Sequence, residues 1–447
     1  MNKKQNFGSQ LGALMVIIGS AVGLGNIWKF PYMLGNNGGS AFLFVYLLFV
    51  FVLGIPLLAT EFAVGRASGK NAIDALGKSN FRFFGFLGVI TIGLILTFYS
   101  TIGGWVMAYM YHYMIGTFHQ LNPQEIQIFF TDFIANAYQT VFWQTLFLFF
   151  TAIILLAGVQ KGLEKSAKIM MPTIFFGLIF LALRSLTLPN AWEGLVFMFQ
   201  PDFSKINLKI VNSAMGQAFF SLSLGSAVLV TYGSYLKKDQ NLLKLARQVA
   251  FGDVLIALLA GVAIFPAVFS FGLEVTTGPT LIFITLPYIF DVMPFGSFFG
   301  LIFFICIFFA ALTSAIGMLE SPVAYMIGQH QLNRKNAVIF SVIPIFLIGI
   351  LMTLSYSFLS DFKIFDKTIF DFTADILDQF TIPLTSMGYT IYALWKMNRK
   401  IFLNEFFGMY QHQNTFISQG IIFLLRYIAP VLVGIILTQG IISLLGL

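Results

Sequence analysis

Uninterrupted apolar runs dominate this sequence, each about 20 residues long, the length at which an α-helix crosses about 30 Å of hydrocarbon. They recur from end to end, over 11–32, 40–64, 84–116, 140–158, 167–186, 210–236, 248–273, 293–327, 336–356, 368–395 and 417–444. A chain that faces water carries about 25% charged residues. Here 10% are charged and 58% are apolar, so the bilayer is the expected solvent. In lipid every backbone polar group must be satisfied internally, which leaves helix bundles and closed barrels. The apolar residues come in blocks rather than in alternation, which argues against a barrel. The expectation is an all-α polytopic membrane protein with eleven transmembrane helices.

The net charge of +7 is distributed as a topology signal. On the N-terminal side of the expected spans lie Lys3, Lys4, Arg66, Lys70, Lys78, Arg82, Lys161, Lys165 and Lys168. Lys237, Lys238, Lys244, Arg247, Arg334, Lys335, Lys396, Arg399 and Lys400 join them, and the other side has only Arg184, Lys205, Lys209, Lys363 and Lys367. This is the positive-inside asymmetry. It predicts a cytoplasmic N-terminus and an outside C-terminus, and it removes the reason to expect nucleic acid as a partner. Met1 to Gln10 precede an apolar run interrupted by Gly23, Gly25 and Pro31, with no small-residue cleavage site after it, so it reads as a retained first span. Cys306 is the only cysteine, and His112, His119, His330 and His412 are scattered, so neither a disulfide framework nor a metal cluster is expected. No Gly-Lys-Ser/Thr phosphate loop is present, which argues against an ATP-driven pump.

Two spans are poor helices in their middles. The first contains Gly19-Ser-Ala-Val-Gly-Leu-Gly-Asn26, and the sixth contains Gly216-Gln-Ala-Phe-Phe-Ser-Leu-Ser-Leu-Gly-Ser226. Each glycine costs about 1 kcal/mol relative to alanine in a helix. Irregular backbone at membrane depth is tolerated only where it lines a cavity or is buried in protein. Ser221 and Ser223, two apart, would face different ways on an unbroken helix. One such span would suit close helix packing through Gly19 and Gly23. Two, five helices apart, mark corresponding places in two halves, the pattern of an inverted-repeat transporter with its site at the midplane. The chain then reads as one transporter domain, 1–447. Residues 8–186 form the first five-helix repeat and 205–395 the second, with a cytoplasmic loop and eleventh helix over 396–447.

Ser20-Ala-Val-Gly-Leu-Gly-Asn-Ile-Trp-Lys-Phe-Pro31 and Asn36-Asn-Gly-Gly-Ser-Ala-Phe42 resemble the first-helix signature of the neurotransmitter:sodium symporter family. Gly54-Ile-Pro-Leu57 with Glu61 and Gly65-Arg66 resembles its second helix, and Lys161-Gly-Leu-Glu-Lys-Ser-Ala-Lys168 with Met171-Pro172 its fifth. The sixth-span stretch and Phe309-Ala-Ala-Leu-Thr-Ser314 resemble its sixth and eighth. The resemblance runs from about residue 8 to about 395. It implies sodium-coupled symport of an amino acid by alternating access, no enzymatic activity, and the cytoplasmic membrane of a bacterium.

Residue by residue, the resemblance implies two sodium sites. The second would use the carbonyls of Gly19, Val22 and Ala310 with the hydroxyls of Thr313 and Ser314, neutral oxygens suited to a hard cation. The first would use the Ala21 carbonyl, the Asn26 amide, the Ser221 hydroxyl and the substrate's carboxylate. Asp253 stands in the seventh span, where the family's Asn ligand is missing. A carboxylate near midspan costs about 2.5–3.5 kcal/mol. It reads as a sodium ligand, as a built-in substitute for the chloride of animal relatives, or as a helix-end residue at the cytoplasmic interface. Chloride is not expected. Glu61 is implied to tie the unwound backbone of the broken helices together.

The substrate's carboxylate is implied to meet the amides of Leu24 and Gly25 and the Tyr99 hydroxyl, near Ser314. Its amine would meet the carbonyls of Ala21, Phe220 and Ser221. Ser20, Ile95, Ser223, Ser226 and Met318 would set side-chain room, with Phe220 as a lid. Ser226 stands where another bacterial member has Phe, which predicts a large apolar or aromatic amino acid. The outer gate would involve Lys29, Gln217 and either Asp371 or Asp375, although a gapless count puts Ala374 at the gate position. Two other functions compete: an amino-acid sensor without transport, for which an ion site has no use, and a channel, which needs polar residues along a whole pore. The oligomeric state is not legible.

Overall fold

A computed structural model describes residues 6–119, 121–273, 280–408 and 415–444; Lys3, Lys4 and His412 lie outside them. The described residues form helices and no strand, apart from one isolated bridge between Ile364 and Lys367. Among the described residues eight helices are long and apolar enough to cross a membrane: Ser40–Ser68, Arg82–Met114, Ala137–Leu156, Val159–Leu186, Leu242–Ser270, Gly296–His330, Arg334–Leu354 and Phe416–Gly440. The pair Gln10–Ala21 and Gly25–Asn36, bent by 50°, makes a ninth.

Eleven crossings were expected, and the shortfall falls on the sixth and tenth stretches. The sixth is split into Leu208–Ser221 and Val228–Tyr235, each too short to span alone. The tenth is helical over 369–396 but carries Asp371, Asp375 and Asp378 and a series of hydroxyl side chains.

Both expected breaks are present, for separate local reasons. Ser9 caps the first helix by accepting from the Gly12 amide. The helix ends as Val22 turns extended, at φ −70° and ψ 109°. It resumes in a wide turn at Gly25–Lys29. In the sixth stretch Ser223, Gly225 and Ala227 adopt φ of 54°, 73° and 64°. Left-handed conformation costs a non-glycine residue about 1–2 kcal/mol, so no helix runs through these positions. Gly225 takes its turn without that penalty.

The third and eighth spans pack along each other, the second lies on the inner half of the sixth, and the seventh lies against the fifth. This packing brings both breaks to one level between the third, eighth and tenth spans. On the Lys/Arg-rich side, the helix Arg399–Phe407 docks on the second span. There Arg66 donates to the Glu405 carboxylate at 2.6 Å and to the carbonyls of Lys237 and Gln240, and Lys238 pairs with the same carboxylate.

Candidate functional site

The end of the first helix meets the middle of the eighth span in a cluster of oxygens. The Ser314 hydroxyl is 3.0 Å from the Val22 carbonyl and 3.3 Å from those of Gly19 and Ser20. One turn of the eighth span brings the Thr313 hydroxyl 3.0 Å from the Ala310 carbonyl. These include the five oxygens of the expected second-sodium set: Ser314 gathers the first-helix carbonyls, and the buried Thr313 side chain beside it lies 3.2 Å from where a Cβ at Gly19 would stand. Carbonyls left without helical partners where the first helix ends point their lone pairs at this cluster. Neutral oxygens without a fixed charge suit a monovalent hard cation, and the residues present fit one.

A second cluster joins the resumed first helix to the second, sixth and seventh spans. The Asn26 amide donates to the Asp253 carboxylate at 2.7 Å, to the Asp253 carbonyl at 3.1 Å and to the Ser221 hydroxyl at 3.1 Å. Ser221 donates to the other Asp253 oxygen at 2.7 Å, and Tyr46 reaches that oxygen at 3.3 Å. Asp253 is fully buried. The helix-end reading is therefore overturned, because the seventh helix continues for more than two turns before Asp253 and packs it against the break. Its donors are all uncharged, so its negative charge is solvated by dipoles alone. A cation at this cluster would supply the missing charge, and an amide, a hydroxyl and a carboxylate are oxygen donors that suit sodium.

Between the clusters lies the unwound backbone. The Leu24 amide donates to the Tyr99 hydroxyl at 3.1 Å, so the third span touches the break where a carboxylate would be received. A side chain at Gly23 would stand 2.7 Å from that hydroxyl and would strike Ser314, which explains the glycine. Ile95 lies one helical turn from Tyr99 on the third span and Met318 one turn from Ser314 on the eighth, both buried. Ser20 and Ala21 are buried beside the break, and the Ser20 carbonyl accepts from Ser223 at 3.3 Å. The Ser226 hydroxyl turns back to the Ser223 carbonyl at 2.7 Å, leaving a short side chain with its polarity already satisfied.

Glu61 acts on the sixth and tenth spans. One of its oxygens accepts from the Gly225 amide at 2.7 Å and from Ser386 at 3.3 Å, while Thr385 donates to the Gly225 carbonyl at 2.6 Å. Tyr46, Thr385 and Ser386 were missed in the sequence because single hydroxyls in apolar helices carry no spacing signal.

Above the break, the Lys29 ammonium lies 3.9 Å from the centre of the Phe220 ring and pairs with Asp378. Gln217 donates to the Gly25 carbonyl at 3.0 Å. The expected partners of Lys29 were wrong. Asp375 instead pairs with Lys367 at 2.6 Å, and Asp371 sits at the start of the tenth helix with Thr368. The reason is a wide turn over Leu377–Thr381, which changes the register and turns Asp378 toward Lys29. Asp371, Asp375 and Asp378 follow a helical spacing, and that signal would have placed Asp378 among the candidates.

Comparisons with known proteins bear on the same chain length. A model of the Sodium:neurotransmitter symporter family matches residues 4–124 and 130–446. The uncharacterized sodium-dependent transporter YhdH of Bacillus subtilis is 40% identical over 438 residues, covering 97% of each chain. An uncharacterized sodium-dependent transporter of Haemophilus influenzae is 36% identical over 406 residues, 88% of this chain and 89% of its own. Among solved structures, that of MhsT in complex with L-phenylalanine is similar with a TM-score of 0.91 and 39% identity. It covers 98% of this chain and 100% of that one.

Proposed function

The chain belongs to the sodium:neurotransmitter symporter family, and from that premise we propose that it carries a large apolar or aromatic amino acid inward together with sodium. It is a sodium-coupled membrane transporter and not an enzyme. The observation that carries the proposal is the juxtaposition of two oxygen clusters and one unwound backbone. Tyr99 touches that backbone at Leu24, Ser314 gathers the carbonyls on one side, and Asn26 meets Asp253 on the other. A zwitterion fits between them. Its carboxylate would meet the Leu24 and Gly25 amides, the positive end of the resumed helix. Its amine would meet the carbonyls beside the break at Ala21, Phe220 and Ser221, of which Phe220 already accepts from the Ser223 amide at 3.0 Å.

Two sodium ions travel as cargo with the amino acid. Gly19, Val22, Ala310, Thr313 and Ser314 would hold one, and Ala21, Asn26, Ser221 and Asp253 the other. Asp253 supplies a fixed anion beside the second of these, so transport has no need of chloride. Alternating access is supported by an asymmetry. Lys29, Asp378, Gln217 and Phe220 close over the break on one side. On the Lys/Arg-rich side a surface cavity of about 970 Å³ lies between Asn71, Gln160, Tyr235 and Arg334, where Glu320 accepts from Tyr235 at 2.7 Å and from Arg334 at 2.6 Å. The positive-inside rule supports a cytoplasmic placement of this Lys/Arg-rich side, with the N-terminus inside and the C-terminus outside a bacterial inner membrane. The repeats 8–186 and 205–395 would be the two halves whose relative motion exchanges the openings.

The similar MhsT structure contains L-phenylalanine, and here the short Ser226 side chain folds back on the Ser223 carbonyl, which supports a large substrate side chain. Competition in sodium-dependent uptake tests the substrate class. Trp, Tyr, Phe and Leu should outcompete Gly and Ala, and Ser226→Phe should reverse the order. If Gly or Ala competes best in the parent, the size argument is wrong.

A further inference from the structure

On the lipid-facing surface, the second, seventh and eleventh spans leave a groove of about 340 Å³ between them. Phe51, Val52 and Pro56 form one wall, Leu243 and Arg247 another, and Gly420 lies on the third. The sequence explains the hollow. The second span opens into a wide turn at Val50–Gly54 and continues through Pro56, whose ring donates no amide hydrogen to the preceding turn. On the eleventh span, a side chain at Gly420 would meet nothing within 4 Å, so glycine leaves this wall open.

Arg247 is the charged side chain among these walls. It is exposed, and Lys244, also exposed, stands one turn earlier on the same face of the seventh helix. Among the described residues neither side chain takes part in an ion pair. Their helix begins at Leu242, next to the loop whose carbonyls Arg66 holds, so both lie at the Lys/Arg-rich edge of the molecule. An unpaired guanidinium at a membrane edge, above an apolar slot, presents a fork for phosphate oxygens and a channel for hydrocarbon.

We propose that this groove binds one anionic phospholipid of the surrounding leaflet, with its phosphate on Arg247 and Lys244 and an acyl chain along Phe51, Val52 and Ile55. Basic clusters between spans at this face recognise anionic headgroups, and each basic side chain near the surface raises binding about five-fold. The site is remote from the broken helices and rests on the membrane placement of the chain, independent of which amino acid it carries.

The test uses the full chain, purified free of native lipid and titrated with dioleoylphosphatidylglycerol or with dioleoylphosphatidylcholine, the bound lipid being counted by native mass spectrometry. One phosphatidylglycerol should be retained in preference to phosphatidylcholine. Arg247→Gln should weaken that adduct about five-fold, and adding Lys244→Gln should weaken it about 25-fold, as two independent five-fold steps. Gly420→Leu, which fills the groove, should reduce retention of both lipids. Equal retention of the two lipids by the parent overturns the proposal without recourse to a variant. Phosphatidylglycerol retention that is unchanged in both Arg247→Gln and Gly420→Leu overturns it as well. A single symmetric elution peak and an unchanged thermal unfolding midpoint in detergent, neither of which depends on the amino acid carried, report that the variants are folded.

Discussion

Asp253 sets the charge balance of the broken region. It is fully buried, and Asn26, Ser221 and Tyr46 surround it with uncharged donors. Two opposite unit charges about 5 Å apart attract by about 3 kcal/mol at an effective dielectric near 20. That corresponds to about two orders of magnitude in ion affinity. Replacing external chloride with gluconate should therefore leave uptake by the parent unchanged. Asp253→Ser should lose uptake in gluconate and regain part of it when chloride is restored. A parent that stops without chloride would assign the anion elsewhere. The second cluster makes a different demand. A hydrogen-bonding group facing a charge contributes about 1.5–3 kcal/mol, so removing both hydroxyls with Thr313→Ala and Ser314→Ala should raise the sodium needed for half-maximal uptake by at least about ten-fold. An unchanged sodium dependence, with normal insertion, would remove this cluster from the scheme.

At the scale of elements, helix breaks and wide turns decide which side chains meet. Asp378 reaches Lys29 because the tenth span opens at Leu377–Thr381, while Asp375 is held by Lys367. Asp378→Asn should weaken closure on the Lys29 side and increase labelling of a cysteine placed at Phe220 by an external thiol reagent. Asp375→Asn should leave that labelling as it is. Equal effects of the two substitutions would mean that the Lys29 pair does not close the path. The same elements mark what the sequence makes legible. Glycines and small polar residues in the first and sixth spans signal both breaks, since the cost of such residues in lipid is local and readable. The wide turn of the tenth span has no comparable marker, so the helical spacing of Asp371, Asp375 and Asp378 marks three candidates without telling which one faces Lys29, and a gapless count lands on Ala374. The neighbours of Asp253 are similarly opaque, because Tyr46 is brought to it by packing between the second and seventh spans. Hydropathy also has a limit: the sixth and tenth stretches are where polar side chains and breaks lower the apolar signal, and these two account for the difference between eleven expected crossings and the nine found among the described residues when the bent first pair counts as one span.

The whole molecule is built around one level at which two helices stop and restart. One side above that level is closed by Lys29, Asp378 and Phe220, and the other holds a cavity of about 970 Å³. A sensor would need the ligand pocket alone, and a channel would need a continuous polar path, whereas two oxygen clusters flanking a break closed on one side suit coupled transport. Coupling is a thermodynamic claim, so it is tested by work done on a gradient. Purified protein in sealed liposomes, with labelled phenylalanine at equal concentration on both sides, should accumulate the label inside when an inward sodium gradient is imposed. The accumulation should collapse when gramicidin dissipates the gradient. Label that never exceeds its outside concentration, or that accumulates equally with potassium in place of sodium, would contradict the account.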